Sequence, residues 1–271
     1  MRIAVIGGDA RMLVAARLFR ENRLECTTAL LGEGSCELEE ALSNASAAVL
    51  PYPCERNGVL NTPLEDTKIK LGDIFAAAEE KTVFIGGFGF RGERLCDYSE
   101  REDFLLLNAV ATSEAAIKLA LCERKGTLFG AKAAVVGYGR IGRLVTKLLL
   151  SFGANVTVLA RRSESRLEAS IAGATAYPFE NTSDALAERE IVFNTVPKRV
   201  ITKNAIGAMQ GGGIIIDLAS GEGCCDRDAV DSDRVRLMPA PALPGRHFPE
   251  TAGLAVYTVS RAILCERGLL I

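Results

Sequence analysis

The sequence predicts an α/β protein of two doubly wound parallel-sheet domains with an inter-domain cleft. Three observations carry this. Short β-branched runs alternate with helical-period runs along the chain, which is the pattern of βα units feeding a parallel sheet. One unit, Ala133 to Ser163, sets a glycine-rich turn between a strand and a helix. The 271 residues, 48% of them hydrophobic, are enough for about two cores. The expected division is a substrate domain over 1–110, a dinucleotide-binding domain over 111–250, and a closing helix in 251–271 that packs back on the first domain.

The glycine turn reads Gly137, Tyr138, Gly139, Arg140, Ile141, Gly142, a G-x-G-x-x-G sequence. Ala133 to Val136 before it is a short buried-strand run. Leu144, Val145, Leu148, Leu149 and Phe152 after it repeat at helical spacing. Gly137 permits the tight turn, Gly139 lets a pyrophosphate approach the backbone, and Gly142 lets helix pack on strand. The helix N-terminus offers unpaired N–H groups and partial positive charge to phosphate. A second strand at Val156 to Leu159 completes the Rossmann context that makes the motif specific.

The end of that second strand selects the cofactor. An NAD site wants a carboxylate there for the ribose 2′-OH. The chain instead has Ala160, Arg161, Arg162 and Ser163, with no carboxylate before Glu164. Guanidinium pairs with phosphate through several N–H bonds, so NADP is expected over NAD. Later strand ends at Thr195, Val196, Pro197 and at Leu218, Ala219, Ser220 fall at the same carboxyl edge and are expected to line the nicotinamide half.

In the first domain, strands are expected at Arg2–Ile6, Glu25–Leu30, Ala45–Leu50, Thr82–Ile85 and Phe104–Leu107, with helices at Met12–Phe19 and Leu71–Glu79. Gly7-Gly8-Asp9-Ala10-Arg11 imitates a dinucleotide turn but lacks its third glycine, and Asp9 would repel a phosphate. Thr112 or Ser113 is expected to cap a helix beginning there. Its N–H groups and hydroxyls, with Asn108, are candidates for a substrate carboxylate. Leu243, Pro244 and Gly245 form the facing loop, and Arg91 or Arg246 is the candidate cation for a second carboxylate. A helix starting at Asn181 is expected to run to Arg189, and strands at Thr175–Tyr177, Ile191–Asn194, Ile214–Asp217 and Val235–Met238 complete the second sheet.

Composition narrows the classes. A formal net charge of -2 with no basic block argues against nucleic acid. No stretch of about 18 uncharged apolar residues occurs, so no membrane span is expected. Eight cysteines without a C-x-x-C and a single histidine argue against a metal site.

Five motifs then point to one family: Ala4 to Arg11, Asn108 to Glu114, Asn194-Thr195-Val196-Pro197, Asp217-Leu218-Ala219-Ser220, and Pro241-Ala242-Leu243-Pro244-Gly245 with Thr251-Ala252-Gly253 beyond it. Together they resemble the A-type subunits of bacterial dipicolinate synthases, relatives in architecture of D-2-hydroxyacid dehydrogenases. The resemblance implies an NADP-linked oxidation of a dihydrodipicolinate-type ring, derived from 4-hydroxy-tetrahydrodipicolinate, to dipicolinate. It implies a homo-oligomer, a partner of the flavoprotein-like B type, and the cytoplasm of a sporulating mother cell. No catalytic acid or base is assigned. Ser220 stands where the dehydrogenase arginine is sought, and His247 lies beyond Leu-Pro-Gly, away from a strand end. Rival readings are a shikimate-dehydrogenase or hydroxyacid-dehydrogenase type of NADP enzyme and a non-catalytic NADP-binding protein.

Overall fold

The computed structural model describes residues 1–65, 67–219, 223–225, 230 and 234–270. They divide into two compact units, Met1–Asn108 with Pro244–Ile271, and Ala109–Leu243.

The first unit opens with β1 (Arg2–Ile6), α1 (Ala10–Glu21), β2 (Glu25–Ala29), α2 (Leu38–Leu42) and β3 (Ala47–Val49). A small hairpin follows, β4 (Glu55–Arg56) and β5 (Val59–Leu60), then α3 (Leu71–Ala77), β6 (Val83–Gly86) and β7 (Leu95–Asp97). The sheet is parallel in the order β2-β1-β3-β6-β7. Alternation along β1 builds both faces. Ile3 and Val5 join a core with Met12, Ala15 and Phe19 of α1, while Ala4 and Ile6 join another with Leu42 and Ile74. Asp9 caps α1 by accepting the Arg11 backbone N–H at 3.1 Å. Arg11, 6% exposed, returns a bidentate pair to Asp9 at 2.7 and 2.9 Å and donates to the Tyr52 carbonyl at 2.8 Å.

Helix α4 (Glu102–Glu123) corrects two expectations. Phe104 to Leu107 is not a strand but its first turns. A four-residue apolar run fits helix and strand equally, and the acidic Glu102 and Asp103 favour a helix N-terminus. The strand sought there is β7, earlier in the chain. Thr112 and Ser113 therefore stand mid-helix and cap nothing. Both are buried, and the Ser113 hydroxyl donates to the Ala109 carbonyl one turn back at 2.7 Å. Among the described residues α4 is one helix long and apolar enough to cross a membrane by length and composition, and half of that stretch is buried in the protein.

The second unit continues with β8 (Lys132–Val136), α5 (Arg140–Ser151), β9 (Asn155–Leu159), α6 (Ser163–Ile171), β10 (Thr175–Tyr177) and α7 (Thr182–Leu186). The last ends a turn before the expected Arg189, because Ala187 leaves helical geometry. Then come β11 (Ile191–Asn194), α8 (Lys203–Ala208), β12 (Gly213–Asp217) and β13 (Val235–Pro239). The order is β10-β9-β8-β11-β12-β13, all pairs parallel. This is the doubly wound dinucleotide-binding order, with its switch point between β8 and β11.

The expected Leu243–Gly245 loop is instead the start of a short helix, α9 (Leu243–His247), and α10 (Pro249–Glu266) closes the chain. Helix α10 packs on α1. A Cβ at Gly253 would lie 2.5 Å from the Val14 Cβ, so the two helices approach as closely as glycine allows.

Candidate cofactor site

The switch point of the second sheet is built by three strand ends. Beyond β8, Gly137 has φ +98°, and a Cβ there would lie 2.3 Å from Thr195 Oγ1 and 2.8 Å from Val196 Cγ2. Conformation and space both require glycine. Gly139 caps α5 at φ -84°, and a Cβ on it would meet no atom within 4 Å. Its bare backbone thus faces open space at a helix N-terminus, the cradle a pyrophosphate needs. Gly142 is the packing glycine: its Cβ would lie 2.2 Å from the Gly137 carbonyl oxygen. The residues present fit the dinucleotide that the motif implies.

Arg140 and Ile141 form the first turn of α5. Tyr138 lies under the Arg143 guanidinium, 5.5 Å from its ring centroid, and Arg143 pairs with Glu168 of α6 at 2.6 Å. Burial raises the Tyr138 phenol above its ordinary value, against the opposing charge of Arg143. At the end of β9 the chain turns through Ala160 into Arg161 and Arg162, both exposed. Arg166 braces the turn by donating to the Ala160 and Arg161 carbonyls at 3.0 and 2.7 Å. Ser163 opens α6 and is exposed.

The edge beyond β11 and β12 is tied by a buried pair. Asn194 is fully buried and Asp217 is 6% exposed. The Asn194 amide donates to Asp217 Oδ1 at 2.8 Å and to the Val196 carbonyl at 2.9 Å, and its oxygen accepts the Val196 N–H at 3.2 Å. Asp217 also accepts the N–H groups of Ala219 at 3.3 Å and Cys224 at 2.9 Å. Thr195 is held separately, donating its N–H and hydroxyl to the Val136 carbonyl at 2.8 and 3.0 Å. The Cys224 thiol is pushed far up, first by its hydrogen bond with Cys225, 3.7 Å away, then by burial and the Asp217 charge.

The structure thus gathers Gly137, Gly142, Thr195 and Val196 in contact, with the Leu218 N–H held by the Asn194 carbonyl at 2.9 Å, Ala219 held through Asp217, and Pro197 exposed beside Val196. Ser220 lies outside the described residues. Sequence reasoning missed Asn194 and Asp217 as site residues. Their signal was available: each is a lone polar residue closing an otherwise apolar buried strand.

The substrate candidates are more scattered. A second glycine-rich stretch, Gly86-Gly87-Phe88-Gly89-Phe90-Arg91-Gly92, runs on from the end of β6, and Gly89, at φ +72°, donates its N–H to Asp97 at 2.7 Å, which ties this loop down. Arg91 in that loop is 85% exposed and pairs with Glu100 at 2.9 Å. Leu243 and Pro244 are buried and Arg246 is exposed. A Cβ on Gly245 would lie 2.3 Å from Asp9 Oδ2, so α9 is seated on the Asp9–Arg11 pair. Asn108 is half-buried in α4.

Sheet order and glycine loop define a nicotinamide-dinucleotide-binding α/β protein, and comparison with known proteins agrees. Residues 108–232 match the NAD-binding domain of D-isomer specific 2-hydroxyacid dehydrogenases, and residues 2–106 match the N-terminal domain of the dipicolinate synthase A-type subunit. The chain is a relative of that synthase component. It is 27% identical to the corresponding protein of Bacillus subtilis (strain 168), over 98% of this chain and 96% of the relative. The crystal structure of the same synthase component from Bacillus halodurans superposes with a TM-score of 0.86 at 25% identity, covering 97% of each chain. The corresponding crystal structure from Bacillus subtilis gives 0.84 at 26%, covering 98% of this chain and 96% of that one. These matches support an oxidoreductase that works with a nicotinamide dinucleotide.

Proposed function

We propose that the protein is an NADP-dependent oxidoreductase that oxidises a dihydrodipicolinate-type ring to dipicolinate, as the A-type component of a two-component synthase. The NADP preference rests on Arg161 and Arg162. They stand exposed at the end of β9, where an NAD site would hold a carboxylate. The reaction class and substrate rest on the whole-length resemblance to a protein named as a dipicolinate synthase component.

A bound nicotinamide would supply the hydride acceptor. The rest is binding and orientation by the chain. The glycine loop holds the pyrophosphate, Arg161, Arg162 and Ser163 bind the 2′-phosphate, and the ends of β11 and β12 line the nicotinamide. Loss of hydride and a proton from a dihydropyridine yields an aromatic ring, a favourable change in which orientation carries much of the demand. The two carboxylates of the ring need separate anchors. Asn108 and the Leu243–Gly245 segment are proposed for the first and Arg91 or Arg246 for the second. Thr112 and Ser113 remain candidates only as side chains, since no helix begins at them. A homo-oligomer, a flavoprotein-like B-type partner and a mother-cell cytoplasmic location belong to the same reading.

The test combines the purified protein with NADP, 4-hydroxy-tetrahydrodipicolinate and the flavoprotein-like component of the same synthase. Dipicolinate formation with NADPH appearing in equal amount is the expected outcome. Tight NADPH binding without product would reduce the chain to a dinucleotide-binding protein. Turnover of shikimate or a D-2-hydroxyacid instead would reassign the substrate.

A further inference from the structure

We infer that the buried Asn194–Asp217 pair is a positioning device for the nicotinamide half of the dinucleotide. The inference rests on the cofactor reading above. Two strands ending side by side in a parallel sheet leave their following loops untethered. Here the carboxylate at the end of β12 takes the amide of the residue ending β11. Each partner then grips its own downstream loop. Asn194 closes a two-way ring with the Val196 backbone, and Asp217 holds the Ala219 and Cys224 N–H groups.

A buried carboxylate is costly unless its oxygens are hydrogen-bonded. Asp217 meets that condition by drawing donors from β11, from the residue two beyond β12 and from Cys224. The cost of burial is therefore coupled to the correct placing of both loops. An apolar pair at these positions would pack as well and fix neither loop. Among the described residues the adenosine end has no part in this network. The glycine loop is anchored by the Gly137 N–H, which donates to the Leu159 carbonyl at 2.8 Å, and the end of β9 is braced by Arg166. The pair should thus govern one half of the cofactor and leave the other alone.

The experiment measures the affinity of wild type and Asp217→Asn for NADPH and for adenosine 2′,5′-bisphosphate, which lacks the nicotinamide. NADH and AMP replace them if NADH binds more tightly to wild type. Asp217→Asn turns an acceptor toward the Cys224 N–H into a donor, so the network cannot close. The expected result is a loss of about tenfold for the whole dinucleotide, as for an unmet buried hydrogen bond. The fragment should change less than about twofold, a split that general destabilisation would not give. Equal losses, or none, would overturn the inference. A wild type that binds neither dinucleotide would overturn the cofactor reading and this inference with it. Hydrogen exchange on the wild type decides the matter should the variant not fold. NADPH should slow exchange at 194–197 and 217–219 while the fragment does not, and identical patterns would refute the role.

Discussion

Gly142 stands so close to Gly137 that a Cβ on it would lie 2.2 Å from the Gly137 carbonyl oxygen, whereas a Cβ on Gly139, between them, would touch nothing within 4 Å. Glycines of one motif therefore answer different demands. Gly142→Ala should destabilise the protein by on the order of 1–3 kcal/mol, since backbone must move to admit the methyl group. Gly139→Val should unfold near the wild-type temperature yet lose dinucleotide binding. Thermal melts paired with NADPH titration separate the two. Matching behaviour in both assays would remove the phosphate from this loop.

The cofactor preference hangs on two side chains. Replacing Arg161 and Arg162 with Ala should weaken NADP by about 1–3 kcal/mol, the range for hydrogen bonds to charged groups. NAD affinity should hardly change. Calorimetry with both cofactors reads this directly, and equal losses for the two would mean that neither arginine meets the 2′-phosphate.

Glu190 gives the second unit an acid limit. Burial alone would raise its carboxyl, but the Arg124 guanidinium at 2.7 Å and the Lys132 backbone N–H at 3.1 Å outweigh it and hold it below the ordinary range. A carboxyl with a depressed folded pKa contributes fully above its unfolded value of about 4.3 and loses that contribution as pH falls through the folded value. Glu190→Gln should cost on the order of 1–2 kcal/mol near neutrality. The gap should shrink as denaturation is repeated toward pH of about 3. A gap that holds constant in acid would show that ionisation of Glu190 does not matter.

Thiol reactivity should divide the cysteines. Cys122 and Cys265 are exposed, while Cys54, Cys224 and Cys225 are buried. Burial, with the nearby Glu55 and Asp97 charges, pushes the Cys54 thiol up to about 12, and burial raises Cys26 to about 11. The thiolate is the nucleophile. Brief alkylation of the native protein near neutral pH, read by peptide mass spectrometry, should mark Cys122 and Cys265 first. Early labelling of Cys54 or Cys224 would contradict the described packing.

What can be read from the sequence is what is local in it. The unit β8–α5–β9 is contiguous, and its glycines carry meaning because strand and helix flank them within a few residues. The start of α4 resists such a reading because Phe104 to Leu107 has no period of its own at that length. Strand β7 is three residues long, Leu95–Asp97, and too short to announce itself. The Asn194–Asp217 bond joins two strands that sequence proximity does not connect, and the seating of Gly245 on Asp9 spans nearly the whole chain. Such contacts emerge only when the sheets close.

The first unit draws its core from both extremes of the sequence, Ile3 and Val5 packing with Val256, Val259, Ile263 and Leu264 of α10. This sets an order of birth. During translation the second unit, continuous from Ala109 to Leu243, is complete before the helix that finishes the first has been made. The nascent chain must carry a half-clad sheet, with Ile3, Val5 and Phe19 short of their cover, until α10 leaves the ribosome. A released chain truncated after Phe248 should therefore present protease with a resistant second unit and a digestible first one.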